Sequence, residues 1–286
     1  MKKLLTLAMS LALAVTLTAC GGAKPAPQNN DGQNANAAAS QEQTETKNHL
    51  EAIKDAGKLV VSTSADYPPF EYHSIVNGKD TVVGWEMELA AAIADELGVD
   101  LEIKEGVFDT LLLDLDAGKA DMVISAMTID AKRLESVDFS NPYWMTAQSV
   151  LIAKDQAASL TKAENLSGMT IGVQLGSTGE VAAKEIAGAE VRSYDLFEAA
   201  VMDLAAGRVD AVVGDYAVVK NYAAKQSTLA VAFELTKEEN AVALRKGDKE
   251  LGEAVNQALA KLDENGTIDQ LIEKYEVAPP PEAKAE

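Results

Sequence analysis

The sequence predicts an α/β protein with two similar lobes, and two observations support this fold class. Short apolar segments typical of buried strands alternate with segments of helical periodicity along most of the chain. This alternation is typical of parallel sheets covered by helices on both faces. One short pattern also occurs twice, once in each half. With 47% hydrophobic residues among 286, the chain can form one large domain or two modest ones.

The clearest element of the first half is a helix that ends at Gly98. Its Leu89, Ile93 and Leu97 recur every four residues, and glycine is the usual residue just beyond a helix C-terminus. The other elements predicted in this half are a helix at 50–57, a strand at 59–63, a strand at 99–103, a helix at 108–116 and a strand at 122–124.

The second half has the same style. It predicts strands at 170–173, 191–194 and 211–213, helices at 180–186 and 196–206, and a mostly helical segment at 249–274 with a break near Gly266.

The repeated pattern links residues 115–123 with residues 204–212. Each copy has a helix end, a glycine, a basic residue, an aspartate and a strand. Ordinary helix-to-strand punctuation accounts for the glycine and the basic residue, but not for Asp121 and Asp210 at the same offset. We therefore expect two lobes of similar design. Since ligands bind at the carboxyl ends of strands in open α/β sheets, a cleft between the lobes follows.

Polar groups at the two predicted strand ends suit a zwitterion. The loop after the first repeated strand offers the hydroxyls of Ser125 and Thr128, and Arg133 follows with a fork of donors that fits a carboxylate. Asp215 ends the second repeated strand, where it could accept from an ammonium group. Taken singly, such an arginine is more often a surface cation, and such an aspartate is often a turn residue.

The segment Gly176–Gly179 follows a strand and opens a helix. Backbone N–H groups at a helix start form an anion site, although Ser177 or Thr178 could simply cap the helix. The chain lacks a GxGxxG pattern, a P-loop lysine and a Gly-x-Ser-x-Gly elbow, which argues against a nucleotide site or a serine hydrolase.

The first half also contains three aromatic residues that precede Ser125 and Thr128 in the sequence: Tyr67, Phe70 and Trp85. They could form an apolar wall or a cation–π face for a ligand. Core packing is the alternative, and it is the preferred interpretation for Phe70. Asp66 and Glu71 flank the same turn, but nothing in the sequence indicates a bond for a carboxylate pair to cleave.

Charge and cysteine content exclude several functions. The chain has 25 Lys and Arg against 45 Asp and Glu, a net charge of −20, so it lacks the basic surface that nucleic acid requires. It has one cysteine, Cys20, and two scattered histidines. We therefore expect no internal disulfide, no metal site and no cofactor.

The N-terminus has the layout of an export signal. Lys2 and Lys3 precede an apolar run at 4–17, and Leu17-Thr18-Ala19-Cys20 resembles the bacterial lipobox. In that class the signal is cut before the cysteine, which then carries lipid; a buried core cysteine is the alternative. We expect a signal peptide at 1–19, a lipid on Cys20 that anchors the protein to the extracytoplasmic face of the cell membrane, and a flexible tether over 20–46.

Several segments together resemble the family 3 extracellular solute-binding proteins, the amino-acid receptors of ABC importers. The resemblance covers about residues 48–275. It rests on Tyr67-Pro68-Pro69-Phe70-Glu71, Gly84–Leu89, Ile124–Ile129 with Arg133, Val137–Tyr143, Gly172–Thr178 and Gly214-Asp215.

The resemblance implies a periplasmic-binding-protein type II fold, with two α/β lobes joined by a two-strand hinge that close on a ligand. It places lobe 1 at 47–150 and 238–276, lobe 2 at 151–237 and a disordered tail at 277–286. It also implies an amino-acid ligand and a separate ABC permease as partner. We expect a monomer, and we expect a binding protein and not an enzyme.

The resemblance also assigns roles in the cleft. Arg133, Thr128 and the amides of Ser177 and Thr178 would hold the α-carboxylate, and Asp215 with the main chain near Ser125 would hold the α-ammonium. Tyr67 and Trp85 would sandwich the side chain. The predicted ligand-binding residues are Ser64, Tyr67, Trp85, Ser125, Ala126, Thr128, Arg133, Gln174, Ser177, Thr178 and Asp215.

Two positions depart from the family pattern. Asp130 stands where the family usually has threonine, and Ser64 stands where some binders of basic amino acids have aspartate. With Gln174 as a polar wall, we expect a polar or basic amino acid. An exported dehydratase-like or lytic enzyme on the same fold and a sensory or adhesion ectodomain remain the alternatives.

Overall fold

A computed structural model of the protein describes residues 47–281. The predicted signal peptide, Cys20 and its tether up to residue 46, and residues 282–286 of the predicted tail lie outside the described residues. The helices are α1 (His49–Ala56), α2 (Trp85–Leu97), α3 (Leu111–Asp116), α4 (Thr178–Lys184), α5 (Phe197–Ala205), α6 (Tyr216–Lys225), α7 (Lys249–Glu264) and α8 (Thr267–Lys274).

The strands follow the same order along the chain. They are β1 (Lys58–Thr63), β2 (Asp66–Tyr67), β3 (Glu71–Val76), β4 (Lys79–Val83), β5 (Asp100–Glu105), β6 (Met122–Val123), β7 (Val137–Phe139), β8 (Trp144–Thr146), β9 (Gln148–Ala153), β10 (Thr170–Gln174), β11 (Glu190–Tyr194), β12 (Ala211–Asp215), β13 (Leu229–Glu234), β14 (Glu238–Asn240) and β15 (Ala243–Arg245). Between 47 and 281, no helix is long and apolar enough to span a bilayer.

Two five-stranded sheets form the centres of two lobes. The first has the order β5-β1-β6-β15-β7, and α2 packs against β1 and β5 while α7 packs against α1, α2 and α8. The second has the order β11-β10-β12-β9-β13, and α4, α5 and α6 pack against it. We call these units the first and second lobe. The predicted two-lobe α/β fold is confirmed.

The prediction of parallel sheets holds for three strands of each sheet, and the remaining two strands are antiparallel to them or to each other. In the first lobe, β1 is parallel to β5 and β6, but β15 runs antiparallel to β6 and β7. In the second lobe, β10 is parallel to β11 and β12, but β9 runs antiparallel to β12 and β13. The antiparallel strands belong to the parts of the chain that pass between the lobes, where the simple strand–helix alternation ends.

The chain crosses between the lobes twice, and the two crossings pair with each other. Strand β8 leads from the first sheet into β9 of the second, and β14 leads back from β13 to β15. The two strands are antiparallel, with Thr146 opposite Glu238 and Trp144 opposite Asn240. We call them the crossing pair; they correspond to the predicted two-strand hinge.

A small sheet of β2, β3 and β4 was not predicted. Strands β3 and β4 carry mostly exposed or half-buried side chains, so they show little apolar alternation. The signal that could have found it is Asn77-Gly78, a two-residue turn typical of hairpins, in which both residues have positive φ. The hairpin ends at Gly84, where a side chain would lie 1.9 Å from the carbonyl oxygen of Phe70, and α2 begins directly after it.

The repeated aspartates have the same structural role in each lobe. The carboxylate of Asp121 accepts from the backbone N–H of Val60 at 2.8 Å, and that of Asp210 accepts from Thr170 at 2.8 Å. Each aspartate thus links the start of its own strand, β6 or β12, to the neighbouring parallel strand, β1 or β10. Asp at this offset is explained by an unpaired N–H at the edge of the ladder, which would otherwise lose a hydrogen bond.

Candidate functional site

The two lobes meet around a narrow cavity of about 10 Å³ at the carboxyl ends of β6, β10 and β12. All but two of the predicted ligand-binding residues line it; the exceptions are Ser64 and Trp85. The lining residues are Tyr67, Phe108, Ser125, Ala126, Thr128, Arg133, Gln148, Gln174, Ser177, Thr178 and Asp215.

Arg133 is the buried cation of the cavity, with 8% of its surface exposed. Its Nη1 donates to the carbonyl of Thr128 at 2.7 Å and its Nη2 to the carbonyl of Gly176 at 3.1 Å. Its Nε lies 3.1 Å from Asp130 Oδ2. The second carboxylate oxygen of Asp130 accepts from the backbone N–H of Arg133 at 3.0 Å. Asp130, the departure from the family pattern, thus fixes both the backbone and the guanidinium of Arg133.

Thr128 and Thr178, from opposite sides of the cleft, both hydrogen-bond to the carboxylate of Glu238. Their hydroxyls donate to Oε2 of Glu238, on the crossing pair, at 3.0 and 2.6 Å. Ser177 caps α4, which is one of the two roles predicted for it. Its hydroxyl accepts from the N–H of Glu180 at 3.0 Å. The two lobes therefore meet the crossing pair through hydroxyl groups that line the cavity.

Asp215, the last residue of β12, is the buried anion of the cavity, with 3% of its surface exposed. It accepts from the side-chain amides of Gln148 at 2.6 Å and Asn240 at 3.3 Å. Burial, with the nearby negative charge of Glu238, raises its pKa to about 7. A carboxyl group in this state gains from a cation that enters the cavity, because the cation stabilises its charged form.

Tyr67 joins the first lobe to Asp215. The backbone N–H of Asp215 donates to the phenolic oxygen of Tyr67 at 2.8 Å. The ring of Tyr67 meets that of Phe197 edge to face, with centroids 4.8 Å apart. A side chain at position 214 would lie 2.4 Å from the Phe197 ring and 3.1 Å from the Tyr67 hydroxyl, so this approach requires Gly214.

Ser64 and Gln174 converge on Asp66 rather than on the cavity alone. The hydroxyl of Ser64 donates to Asp66 at 2.9 Å, and the amide of Gln174 donates to it at 3.3 Å. Ser64 does not line the cavity, but its backbone N–H donates to the hydroxyl of Ser125 at 3.0 Å. It therefore lies one layer behind a lining residue.

Trp85 lies in the core of the first lobe, not on the cavity wall. It is fully buried against Phe70, Tyr143 and Trp144, with ring centroids 5.5, 5.7 and 5.7 Å away. The core interpretation preferred for Phe70 matches its position. The aromatic ring that lines the cavity in addition to Tyr67 is Phe108, which lies under the Arg133 guanidinium at 5.4 Å from ring centroid to carbon.

Two lining residues, Phe108 and Gln148, were missed. Phe108 begins the segment predicted as a helix, where an apolar residue suggests core packing. Gln148 begins the buried strand β9, and a glutamine ahead of an apolar run was the available signal, because a buried amide needs partners.

Comparison with known proteins identifies the family. The sequence profile of the bacterial extracellular solute-binding proteins, family 3, matches residues 59–278. The L-cystine-binding protein TcyJ of Escherichia coli K12 is 36% identical over 229 residues, which are 79% of this chain and 85% of TcyJ.

Solved structures agree with this result. An L-arginine-bound substrate-binding protein of an amino-acid ABC transporter from Streptococcus pneumoniae is 41% identical, with a TM-score of 0.77 over 80% of this chain and 98% of that one. The ancestral amino-acid-binding protein AncCDT-1, a precursor of cyclohexadienyl dehydratase, is 38% identical, with a TM-score of 0.74 over 79% of this chain and 98% of that one. The chain therefore has the type II periplasmic-binding-protein fold and belongs to the bacterial extracellular solute-binding proteins, family 3.

Proposed function

We propose that this protein is an extracytoplasmic receptor that captures a polar or basic L-amino acid between its lobes and delivers it to the permease of an ABC importer. The observation that carries the proposal is one cavity with a buried guanidinium, Arg133, and a buried carboxyl group, Asp215, on different lobes. A zwitterion offers the complement of both groups. Burying the charged form of either group without a charged partner would raise the free energy of the folded protein.

In this proposal Arg133, with the hydroxyls of Thr128 and Thr178, binds the α-carboxylate. Arginine suits this role because its planar fork matches a carboxylate through two parallel hydrogen bonds. In the described structure the same guanidinium donates to two backbone carbonyls, one from each side of the cleft. A ligand carboxylate would be a stronger acceptor than either carbonyl, since hydrogen bonds between charged groups are shorter and stronger.

Asp215 binds the α-ammonium, together with the main chain at Ser125 and Ala126. The amides of Gln148 and Asn240 hold its carboxylate in place, so the group is oriented before the ligand arrives. Tyr67 and Phe108 pack on the ligand's carbon chain, and Gln174 provides a polar wall. Relatives that bind cystine and arginine support a polar or basic ligand.

Binding and closure are coupled because the half-sites belong to different lobes. Arg133 and Ser125 belong to the first lobe, whereas Ser177 and Asp215 belong to the second. The ligand makes all its contacts only when the lobes close, so it shifts the population toward the closed state. The lobes of this proposal have the predicted ranges 47–150 with 238–276 and 151–237, and the first boundary lies within β9 of the second sheet. The closed pair of lobes is what the permease recognises.

The membrane anchor forms part of the proposal and rests on the lipobox-like sequence that ends at Cys20. A diacylated cysteine followed by the tether at 20–46 would hold a monomeric receptor within reach of its permease. Metabolic labelling with a lipid precursor tests this: we expect label in the wild type and none in Cys20→Ala, and equal labelling would contradict the anchor.

The function is tested with the folded protein and a panel of all amino acids. Thermal-shift screening followed by calorimetry should identify one or a few polar or basic ligands. Mass spectrometry should then recover the ligand unchanged, as expected of a receptor. A chemically altered ligand would instead favour an enzyme, and a panel without any hit would contradict amino-acid binding.

A further inference from the structure

Two glutamates are buried directly behind the cavity loop that contains Ser125 and Ala126. Glu71, at the start of β3, is 1% exposed and Glu86, in the first turn of α2, is 0% exposed. Within residues 47–281, no lysine, arginine or histidine forms an ion pair with either glutamate. Two carboxylates cannot both remain charged in such a place, because burial and mutual repulsion disfavour the charged forms.

The hydrogen bonds show where the proton belongs. Glu86 accepts on both of its oxygens, from the backbone N–H of Ala126 at 2.8 Å and from the hydroxyl of Tyr143 at 2.6 Å. Glu71 accepts on Oε1 from the hydroxyl of Ser125 at 2.9 Å, while no described group donates to its Oε2. Burial, with repulsion from Glu86, also raises the pKa of Glu71 well above its usual range, so one proton stays on the pair.

Glu86 also supports a strained backbone. Ala126 has a φ of 45°, a conformation that residues with a Cβ rarely adopt and that persists only where neighbouring contacts enforce it. The only hydrogen bond that the described structure gives to its N–H is the one to Glu86. The next residue toward the N-terminus, Ser125, is fastened to Glu71. The glutamate pair thus fixes two consecutive residues of the cavity wall.

We propose that Glu71 is the neutral acid of this pair, that it donates its proton to the carboxylate of Glu86, and that Glu86 is a positioning residue for the end of the cavity that receives the ligand's ammonium group. This inference rests on the proposed function for the identity of the ligand group. The negative charge of Glu86 remains directly behind Ala126, which lines the cavity. The hydrogen bond from the Ala126 N–H to Glu86 holds Ala126 in the conformation that shapes the site.

The assignment predicts opposite results for two matching substitutions. Glutamine reproduces a neutral Glu71, since its oxygen accepts from Ser125 and its amide donates to Glu86. Glutamine at position 86 removes the negative charge and keeps one acceptor oxygen where two are used, so it cannot accept from both Ala126 and Tyr143. We expect Glu71→Gln to bind the amino acid found in the screen within about twofold of the wild type, and Glu86→Gln to bind it about tenfold more weakly, as for loss of a hydrogen bond to a charged group.

A second ligand separates positioning from general damage. The same compound without its α-amino group keeps the carboxylate and side chain. We expect Glu86→Gln to weaken binding of this analogue much less than binding of the amino acid. Tyr143→Phe removes the other donor to Glu86 without adding a polar group, and we expect a loss of about threefold for the amino acid. Equal losses for both ligands in both variants would overturn the positioning role.

The proton itself is measured without any ligand. The infrared difference between the wild type and Glu71→Gln at neutral pH should show the band of a buried protonated carboxyl group, because the contribution of Asp215, whose pKa is about 7, cancels in the difference. The difference between Tyr143→Phe and Glu71→Gln should show the same band. Absence of this band in the wild type, or wild-type binding by Glu86→Gln, would overturn the inference. If the band appears but no amino acid binds the wild type, the proposed function fails while the proton assignment stands.

Discussion

The carboxylate of Asp66, in the first lobe, accepts a hydrogen bond from the backbone N–H of Phe197, the first residue of α5 in the second lobe. Gln174, also in the second lobe, donates to the same carboxylate at 3.3 Å. This link between the lobes involves no ligand. It places a negative charge at a helix N-terminus, where the helix dipole favours it.

Replacing Asp66 with asparagine should therefore favour the open state. The amide keeps the size of the side chain but removes the charge at the helix end, so we expect ligand affinity to fall about two- to tenfold. Calorimetry gives the affinity, and small-angle scattering gives the closed fraction with and without ligand.

Asp195→Asn is the matched control, because Asp195 is exposed near the same helix end but belongs to the second lobe. It should change neither quantity. An Asp66→Asn protein that closes and binds like the wild type would show that this contact does not contribute to closure.

The pKa of Asp215, raised to about 7 by burial and by Glu238, predicts how binding depends on pH. Only the charged carboxylate pairs with an ammonium group, so affinity should fall about tenfold per pH unit below about 7 and level off above it. Near neutral pH, binding should release a proton from Asp215. Calorimetry in two buffers of different ionisation enthalpy measures this release, and Asp215→Asn should abolish it. The same proton release in that variant would contradict the assignment.

The same group affects stability with the opposite sign. Its pKa is about 3.9 in an unfolded chain and about 7 in the folded protein, so the folded state holds the proton more tightly. The stability that this gives is present below about pH 4 and is lost as the pH rises through about 7. Urea unfolding of the free protein should show a decline over this window that is absent in Asp215→Asn; identical pH profiles would refute it.

Arg133→Ala should weaken amino-acid binding by about 2–5 kcal/mol, since it removes a charge partner from a desolvated site. Arg133→Lys should also bind poorly, because a lysine offers no planar fork. Calorimetry measures both.

The neighbouring Lys132 is exposed and provides the control for Arg133. Lys132→Ala removes the same charge one residue away and should bind like the wild type. Wild-type affinity in Arg133→Ala would rule out this residue as the carboxylate ligand.

The repeated aspartates should differ in their importance for folding. Asp121 is half-buried and also bonds to His49 at 2.9 Å, whereas Asp210 is exposed. We expect Asp121→Ala to lower the free energy of unfolding by about 2 kcal/mol and Asp210→Ala by about 0.5–1 kcal/mol. Urea titration tests the order, and a larger loss for Asp210→Ala would contradict it.

The sequence predicted the parallel strands and most of the helices because each carries its own local signal, whereas α6, β9 and β13 were not predicted. The helix before Gly98 has a period of four and a glycine stop, and α7 and α8 break at Gly266, which has positive φ. The strands β7, β8, β14 and β15 have three residues each. Three residues are too few to show an alternating pattern, and their pairing depends on residues about a hundred positions away.

The sequence indicated which charged residues lie at the cavity, but not which aromatic residues do, because packing alone decides the latter. That the charged residues bind a ligand stays a prediction. Arg133 and Asp215 line the cavity, as their charges at strand ends suggested. Trp85 and Phe108 are both aromatic residues near a helix start. Which of the two faces the cavity depends on how α2 and the turn at 108–110 lie against the lobe, and no local pattern contains that information.

Both tryptophans of the chain lie in one cluster, with ring centroids 5.7 Å apart. Trp144 belongs to the crossing pair, and Trp85 begins the helix that contains Glu86. Neither lines the cavity. The intrinsic fluorescence of this protein therefore originates beside the hinge, so a change in emission during a ligand titration would report the rotation of one lobe against the other without an attached dye.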